Sequence, residues 1–267
     1  MGSNSPSSPA VARLVPSGLS RPAAFGEQLS ELYALVQRSA YVFGSPLGPF
    51  FHRAHHHHLP RFVYFGPHTG EESVRLAFYA GFDRRDLRGT LALLHFVERL
   101  ALAPDLGQSL NLSVFPLVDI LGLLEGRDRA LARFAWHAPA EPELALLAQD
   151  VRLQSYHGFV RVESGPDDDA LTVRLRGFAD EAGGPSAIDF ISSEDTAPWA
   201  VRWETGGSPK VGDGPLSLAD DLPFGPFELT IRVPANWSDE VHREAVTLTL
   251  RRFILRYRSF LAYGQNL

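Results

Sequence analysis

Apolar and polar positions alternate in blocks that read as strands and helices in turn. Gln28 to Phe43 places Leu29, Leu32, Leu35 and Val36 at helical spacing and predicts a first amphipathic helix. Arg61-Phe62-Val63-Tyr64-Phe65 is a compact apolar run that Gly66 and Pro67 break, the pattern of a buried strand ending in a turn. After Glu71 the residues Val74, Leu76, Ala77, Phe78 and Ala80 read as helical. Thr90 to Leu102 predicts a second helix, with Thr90 as its capping residue. Leu110 to Pro116 alternates like a strand and stops at proline. Leu144 to Val151 is helical, and Val151, Leu153 and Ser155 lead into Tyr156-His157 as a further strand whose end carries a histidine. Leu171 to Phe178, Trp199 to Trp203 and Phe227 to Val233 are strand candidates, and Ser238 to Phe260 is a long closing helix. Strands alternating with helices predict an α/β fold, a single-domain mixed central β-sheet with helices on both faces.

Composition narrows the chemistry. The chain has 267 residues, 45% of them hydrophobic and 21% charged, which suits one substantial core. Residues 1–24 are rich in Ser, Pro, Gly and Ala and read as a flexible tail, leaving 25–267 as the domain. Cysteine is absent, so any metal must be held by histidine and carboxylate. A formal charge of −6 argues against nucleic acid or an anionic membrane as partner. No apolar run is long enough to cross a bilayer, and no leader peptide is readable, so the expectation is a cytoplasmic protein.

Two stretches carry candidate chemistry. His68 and Glu71 lie three apart in the turn after the strand at 61–65, where both can aim at one point, and His157 follows at a long spacer. Imidazole and carboxylate are good zinc ligands, and a catalytic zinc site needs three protein ligands and one open position. His55-His56-His57-His58 reads instead as an exposed loop that picks up metal adventitiously, because neighbouring histidines point in different directions.

Over Arg61 to Leu261 the order of these motifs resembles the zinc carboxypeptidase family, in its succinylglutamate desuccinylase/aspartoacylase-like branch. Gly66-Pro67-His68-Thr69-Gly70-Glu71 looks like the family's Gly-x-His-x-x-Glu zinc motif. Phe115-Pro116-Leu117-Val118-Asp119 with Gly122 looks like its Pro-x-x-Asn-Pro-x-Gly strand end, followed by Arg127. Leu131-Ala132-Arg133-Phe134 sits where the family has Leu-Asn-Arg-x-Phe, and Pro142-Glu143 where it opens its next helix. The resemblance implies one zinc per chain on His68, Glu71 and His157, Arg127 at an oxyanion, Arg133 on a substrate carboxylate, and a small molecule or peptide with a free carboxylate as partner. Departures are as specific. Asp119 replaces an asparagine, Ala132 replaces another, and Thr230-Ile231-Arg232-Val233-Pro234 puts Arg232 where the family's Thr-x-Glu-x-Pro has its general base. Arginine cannot take a proton at neutral pH. Glu228, about 13 Å away at strand rise, or Glu163 would then have to act as base, with Arg232 among the substrate-binding groups.

Three readings follow. The first is a zinc-dependent hydrolase of carboxypeptidase or N-acyl amino acid deacylase type. The second is a catalytically impaired relative that binds metal and a small anionic ligand between Arg127, Arg133 and Arg232. The third is an α/β domain whose His and Glu hold no metal.

Overall fold

The structure, a computed structural model of the chain, describes residues 21–68, 73–103, 108–126, 130–131, 135–177, 198–205, 214–221 and 226–264. In chain order its elements are α1 (Arg21–Val36), β1 (Val42–Gly44), β2 (Leu47–His52), β3 (His55–Leu59), β4 (Phe62–Phe65), β5 (Val74–Tyr79), α2 (Arg88–Leu102) and β6 (Leu110–Phe115). There follow α3 (Ile120–Glu125), α4 (Pro142–Gln154), β7 (Gly158–Gly165), β8 (Ala170–Arg176), β9 (Ala200–Thr205), a 3-10 helix (Pro215–Asp221), β10 (Phe227–Pro234) and α5 (Asp239–Gly264).

Eight strands form one mixed sheet in the order β1-β4-β6-β5-β7-β10-β8-β9, and β2 and β3 form a separate hairpin. The central strands β6, β5, β7 and β10 are mutually parallel, while β4 runs antiparallel to β6 and β8 antiparallel to β10. Both faces are covered. Phe78, Val160, Val162 and Leu229 pack with Leu93, Phe96, Leu250 and Phe253 of α2 and α5. Ala77, Tyr79 and Phe159 pack on the other side with Leu144, Leu147 and Val151 of α4 and with Phe50 and Leu59 of the hairpin. The expected mixed sheet with helices on both faces is what the chain forms.

Several local expectations change. The segment after Glu71 is not a helix: Val74 to Tyr79 is strand β5, buried on both faces. A strand between two helical layers needs no polar alternation, so its near-continuous apolar run loses the period that separates strand from helix. Val151 to Gln154 belongs to the last turn of α4, which ends where Ser155 turns left-handed at φ 51°, so His157 precedes strand β7 and does not close one. Helix α2 starts at Arg88, and Thr90, buried within its first turn, does not cap it. The histidine run is strand β3 of the hairpin, not a loop. Helix α1 begins at Arg21, inside the expected tail, and residues 1–20 lie outside the described residues.

Candidate functional site at the two edges of the sheet

Strand β5 has β6 on one side and β7 on the other, so the direction in which the sheet grows reverses there. In open α/β sheets ligands bind beyond the carboxyl ends of the strands at such a switch point. The segment joining β5 to α2 occupies this place and is fastened from several sides. The Ala80 N–H donates to the Phe115 carbonyl at 3.1 Å, the Asp119 N–H to the Gly81 carbonyl at 2.8 Å and the Leu131 N–H to the Phe82 carbonyl at 2.7 Å. Gly81 has φ 66°, and a Cβ on it would stand 2.6 Å from Thr90 Oγ1 and 3.0 Å from Leu117 Cα, so only glycine fits without displacement.

Three carboxylates converge on this carboxyl edge, and each is already engaged. Asp83 takes the Arg85 guanidinium in a fork, Nε to Oδ1 at 2.9 Å and Nη2 to Oδ2 at 2.7 Å. The Arg85 hydrogen bond holds the Asp83 carboxyl below its ordinary range against the opposing effect of burial. Asp86 accepts from both the backbone N–H and the hydroxyl of Ser164, each at 2.7 Å, which ties the segment to the end of β7. Glu163 bridges two arginines: Arg232 Nε lies 2.6 Å from Oε1 and Arg161 Nη2 lies 2.7 Å from Oε2. Register explains the bridge, since Arg232 of β10 is paired with Glu163 of β7 in the parallel ladder. The Arg161 guanidinium also stacks over the Phe82 ring, 4.8 Å from its centroid. Arg88 donates to the Ala235 carbonyl and pairs with Asp239 at 3.0 Å, closing the far side.

His68, His157 and Glu228 lie at the opposite, amino edge. Because β4 runs against β6, its end meets the beginning of β6, and Gly66 and Pro67 bond to Leu110 and Ser109 there. His68 follows with φ 59° and an exposed side chain, its carbonyl accepting from Ser109 Oγ at 3.4 Å. His157 is clamped to β5: its N–H donates to the Arg75 carbonyl at 2.8 Å, and its Nδ1 accepts the Arg75 N–H at 3.0 Å. Burial, and then the Arg75 charge, hold its pKa below the ordinary 6.5. Strands β6 and β5 separate the ends that carry His68 and His157, three strand spacings or about 14 Å. Glu228, 2% exposed, forms a buried ion pair with Arg176 of β8 directly opposite in register.

The anticipated site is thus divided. His68, His157 and the expected base Glu228 stand at one edge and Arg232 at the other, with whole strands between them. Glu228 is committed to Arg176, and Glu163 lies within β7 and is committed to Arg161 and Arg232, so neither is placed as a base facing His68 and His157. Glu71, Arg127 and Arg133 lie outside the described residues. Among the described residues no group of three His, Asp or Glu stands ready to hold a metal ion. Reading the sequence overlooked Asp83, Asp86 and Arg161. The signal was available: with Val74 to Tyr79 taken as a strand, Gly81-Phe82-Asp83-Arg84-Arg85-Asp86 becomes the turn between a strand and a helix.

No family model matches this chain, and no curated protein matches it. Solved structures do. A metallo-carboxypeptidase from Burkholderia cenocepacia superposes with a TM-score of 0.67 at 16% identity, over 88% of this chain and 69% of that one. A metallo-carboxypeptidase from Pseudomonas aeruginosa, in complex with (2-guanidinoethylmercapto)succinic acid, gives 0.56 at 14% identity over 90% and 69%. Bovine thrombin-activatable fibrinolysis inhibitor, in complex with tick carboxypeptidase inhibitor, gives 0.59 at 11% identity over 90% and 97%. The fold is that of the metallo-carboxypeptidases.

Proposed function

We propose that this chain is a non-hydrolysing protein on the metallo-carboxypeptidase fold, one that binds a small carboxylate-bearing molecule through arginines at the carboxyl edge. The observation that carries the reading is the Arg161–Glu163–Arg232 bridge across the ends of β7 and β10. In the family motifs that the sequence resembles, a Gly-x-His-x-x-Glu turn follows a strand, and Thr-x-Glu-x-Pro ends another. On the sheet, the turn at the switch point is Gly81-Phe82-Asp83-Arg84-Arg85-Asp86, with Asp83 and Asp86 at the His and Glu spacing. Arg232 holds the place of the base, at the end of β10.

These residues form no ready zinc site. All three carboxylates are already bonded to guanidinium groups or to Ser164, and a zinc ion would have to compete with those partners. Arg232 adds a fixed positive charge beside Glu163. The alternative set of His68, Glu71 and His157 meets a different obstacle. A ligating histidine usually donates its other ring N–H to an acceptor, whereas His157 Nδ1 accepts a backbone N–H. Its proton then belongs on Nε2, which leaves neither nitrogen a lone pair for metal. What the carboxyl edge offers instead is recognition of an anion. Arg232, with a side chain 41% exposed, keeps a guanidinium face open to an incoming carboxylate, and Arg161 shares Glu163 with it.

The test is an assay of N-acyl amino acids and C-terminal peptides, with and without added zinc, alongside calorimetric binding of the same compounds. No turnover is expected. Binding is expected, weakened roughly ten- to a hundredfold in Arg232→Ala, the loss of one charge-assisted hydrogen bond. Zinc-dependent turnover that disappears in a His68→Ala, Glu71→Ala variant would overturn the proposal and restore the hydrolase. Binding untouched by Arg232→Ala would overturn the placement of the ligand.

A further inference from the structure

The outer face of one helical layer is charged unevenly. Helix α1 packs against β1, α2 against the central strands and α5 against β10, so sheet order sets α2 between α1 and α5. Along α2 the residues Leu91, His95, Glu98 and Leu102 recur at i, i+4, i+7 and i+11, one stripe turned away from the sheet. Between that stripe and α1 runs a cleft of about 510 Å³. Its floor is Leu32, Leu35 and Leu94, and Leu102 at its end is 62% exposed. Its rim carries Glu27, Glu31 and Glu98, against Arg243 and a His95 already bonded to Glu98 at 3.1 Å. Glu27 and Glu31 are one turn apart on α1, a like-charge spacing that opposes the helix carrying it. Among the described residues neither has a cationic partner.

Positive charge stands on the other side of α2. From Ala245 to Gly264 helix α5 carries Arg251, Arg252, Arg256 and Arg258 and no acidic residue. Leu248, Arg251, Leu255 and Arg258 follow one another in steps of three and four on the side turned from the core, and Leu255 is 50% exposed. Arg251 and Arg258 have no anionic partner among the described residues. The face thus holds leucines flanked by carboxylates on one flank of α2 and leucines flanked by guanidinium groups on the other.

We propose that this face docks a second copy of the chain, the α5 stripe of each copy lying in the α1–α2 cleft of the other. The two patches sit on opposite flanks of α2, so a two-fold axis running along α2 matches both pairs at once. Leu255 then meets the leucine floor, and Arg251 and Arg258 meet Glu31 and Glu98, an apolar centre inside a charged rim. A cationic peptide from another protein would satisfy the cleft and leave the α5 stripe unmatched, whereas a second copy answers both. Helix α2, with 15 residues, is about 22 Å long, and three helices at roughly 9 Å spacing make a face of about 600 Å². A standard interface takes about 800 Å² from each partner, so a reversible dimer is the expected state. None of these residues takes part in the proposed ligand site, so the two proposals fail separately.

Sedimentation equilibrium of the full-length chain tests it, over roughly 1–100 μM. The wild type should dimerise with a micromolar dissociation constant, roughly tenfold weaker at about 0.5 M salt than at about 0.05 M. Glu31→Arg with Glu98→Arg makes the cleft positive, and Arg251→Glu with Arg258→Glu makes the stripe negative. Each double variant should be monomeric over the same range. Mixed in equal amounts, the two should form a one-to-one pair, since each supplies the charge that the other has lost. Asp167→Arg with Asp169→Arg, the same charge change on the turn between β7 and β8, should alter the dissociation constant by less than about threefold. A monomeric wild type would overturn the proposal. So would a dimer that survives either reversal, an equal loss in the Asp167 and Asp169 variant, or a mixture of folded variants that stays monomeric. Should circular dichroism show a reversal variant unfolded, Glu31→Gln with Glu98→Gln replaces it and should weaken the dimer roughly tenfold; an unchanged dissociation constant would then overturn the interface.

Discussion

The two edges of the central sheet carry similar residue types and use them differently. At the amino edge, histidine and carboxylate serve the framework: His157 is bonded through N–H and Nδ1 to Arg75 of the next strand, and Glu228 neutralises Arg176 in a pair where both side chains are under 10% exposed. At the carboxyl edge the carboxylates also have partners, but several of those partners are arginines with one side in water, such as Arg85 and Arg232 at 58% and 41% exposure. A buried pair is costly to break because the surviving charge cannot be rehydrated, and an exposed pair is cheap to break because it can. The amino edge is therefore where the fold keeps its stability. The carboxyl edge holds charge that a ligand can exchange.

The largest expected effect tests that contrast directly. Glu228→Ala leaves Arg176 buried without its counter-ion, and such a loss typically costs about 3–5 kcal/mol. Urea unfolding should show the midpoint falling with little change in slope. A cost below about 1 kcal/mol would mean that the pair is solvated after all, and the distinction between the edges would collapse.

How much of this could be read from the sequence depends on what each feature leaves in a single chain. The alternating elements and the mixed sheet were legible, because Phe62 to Phe65, Leu110 to Phe115 and Phe227 to Pro234 are apolar runs of strand length bounded by turn residues. Strand direction was not. His68 follows a strand end, as anticipated, yet β4 is antiparallel to its neighbour, so that end points away from the switch point. Nothing local to Phe62–Phe65 records this, since parallel and antiparallel pairing are decided by partners distant in the chain. His157 is misplaced for a different reason: Val151, Leu153 and Ser155 alternate like a strand but form the last turn and the C-cap of α4. Arg232 is legible in the sequence as an arginine where the resembled motif has a glutamate. Its partner Glu163 could be known only from the register of β7 against β10.

A middle-sized effect concerns pH at the amino edge. Burial and Arg75 depress the His157 pKa in the folded chain below 6.5, the value it regains on unfolding. The unfolded chain therefore binds a proton at a pH where the folded chain does not. The stabilisation from a neutral His157 is complete above about pH 6.5 and is lost as pH falls through the depressed folded value. His157→Gln, whose amide oxygen can still accept the Arg75 N–H, should flatten the fall in stability below about pH 6.5 that the wild type shows in unfolding curves. Its own cost at neutral pH should be about 1 kcal/mol, since one hydrogen bond is exchanged for another. An unchanged slope would mean that His157 titrates as it does in the unfolded chain, and the histidine would no longer belong to the framework.

The smallest effect on stability is expected at Arg232, and its smallness is what makes it informative. The Arg232–Glu163 pair is half in water, and such pairs contribute about 0–1 kcal/mol, less at high salt. Arg232→Ala should therefore shift the unfolding midpoint hardly at all, and a double-mutant cycle with Glu163→Gln should give a coupling energy of the same order, decreasing as salt is added. The same variant should weaken binding of a carboxylate-bearing ligand by an order of magnitude or more, because a guanidinium that contributes little to the fold is available to a partner. Glu163→Gln should act in the opposite sense on that binding, since removing a carboxylate from between Arg161 and Arg232 leaves both guanidiniums to the ligand. A loss of stability at Arg232 comparable to that at Glu228 would show that the carboxyl edge is framework as well, and would remove the physical reason for placing a ligand there.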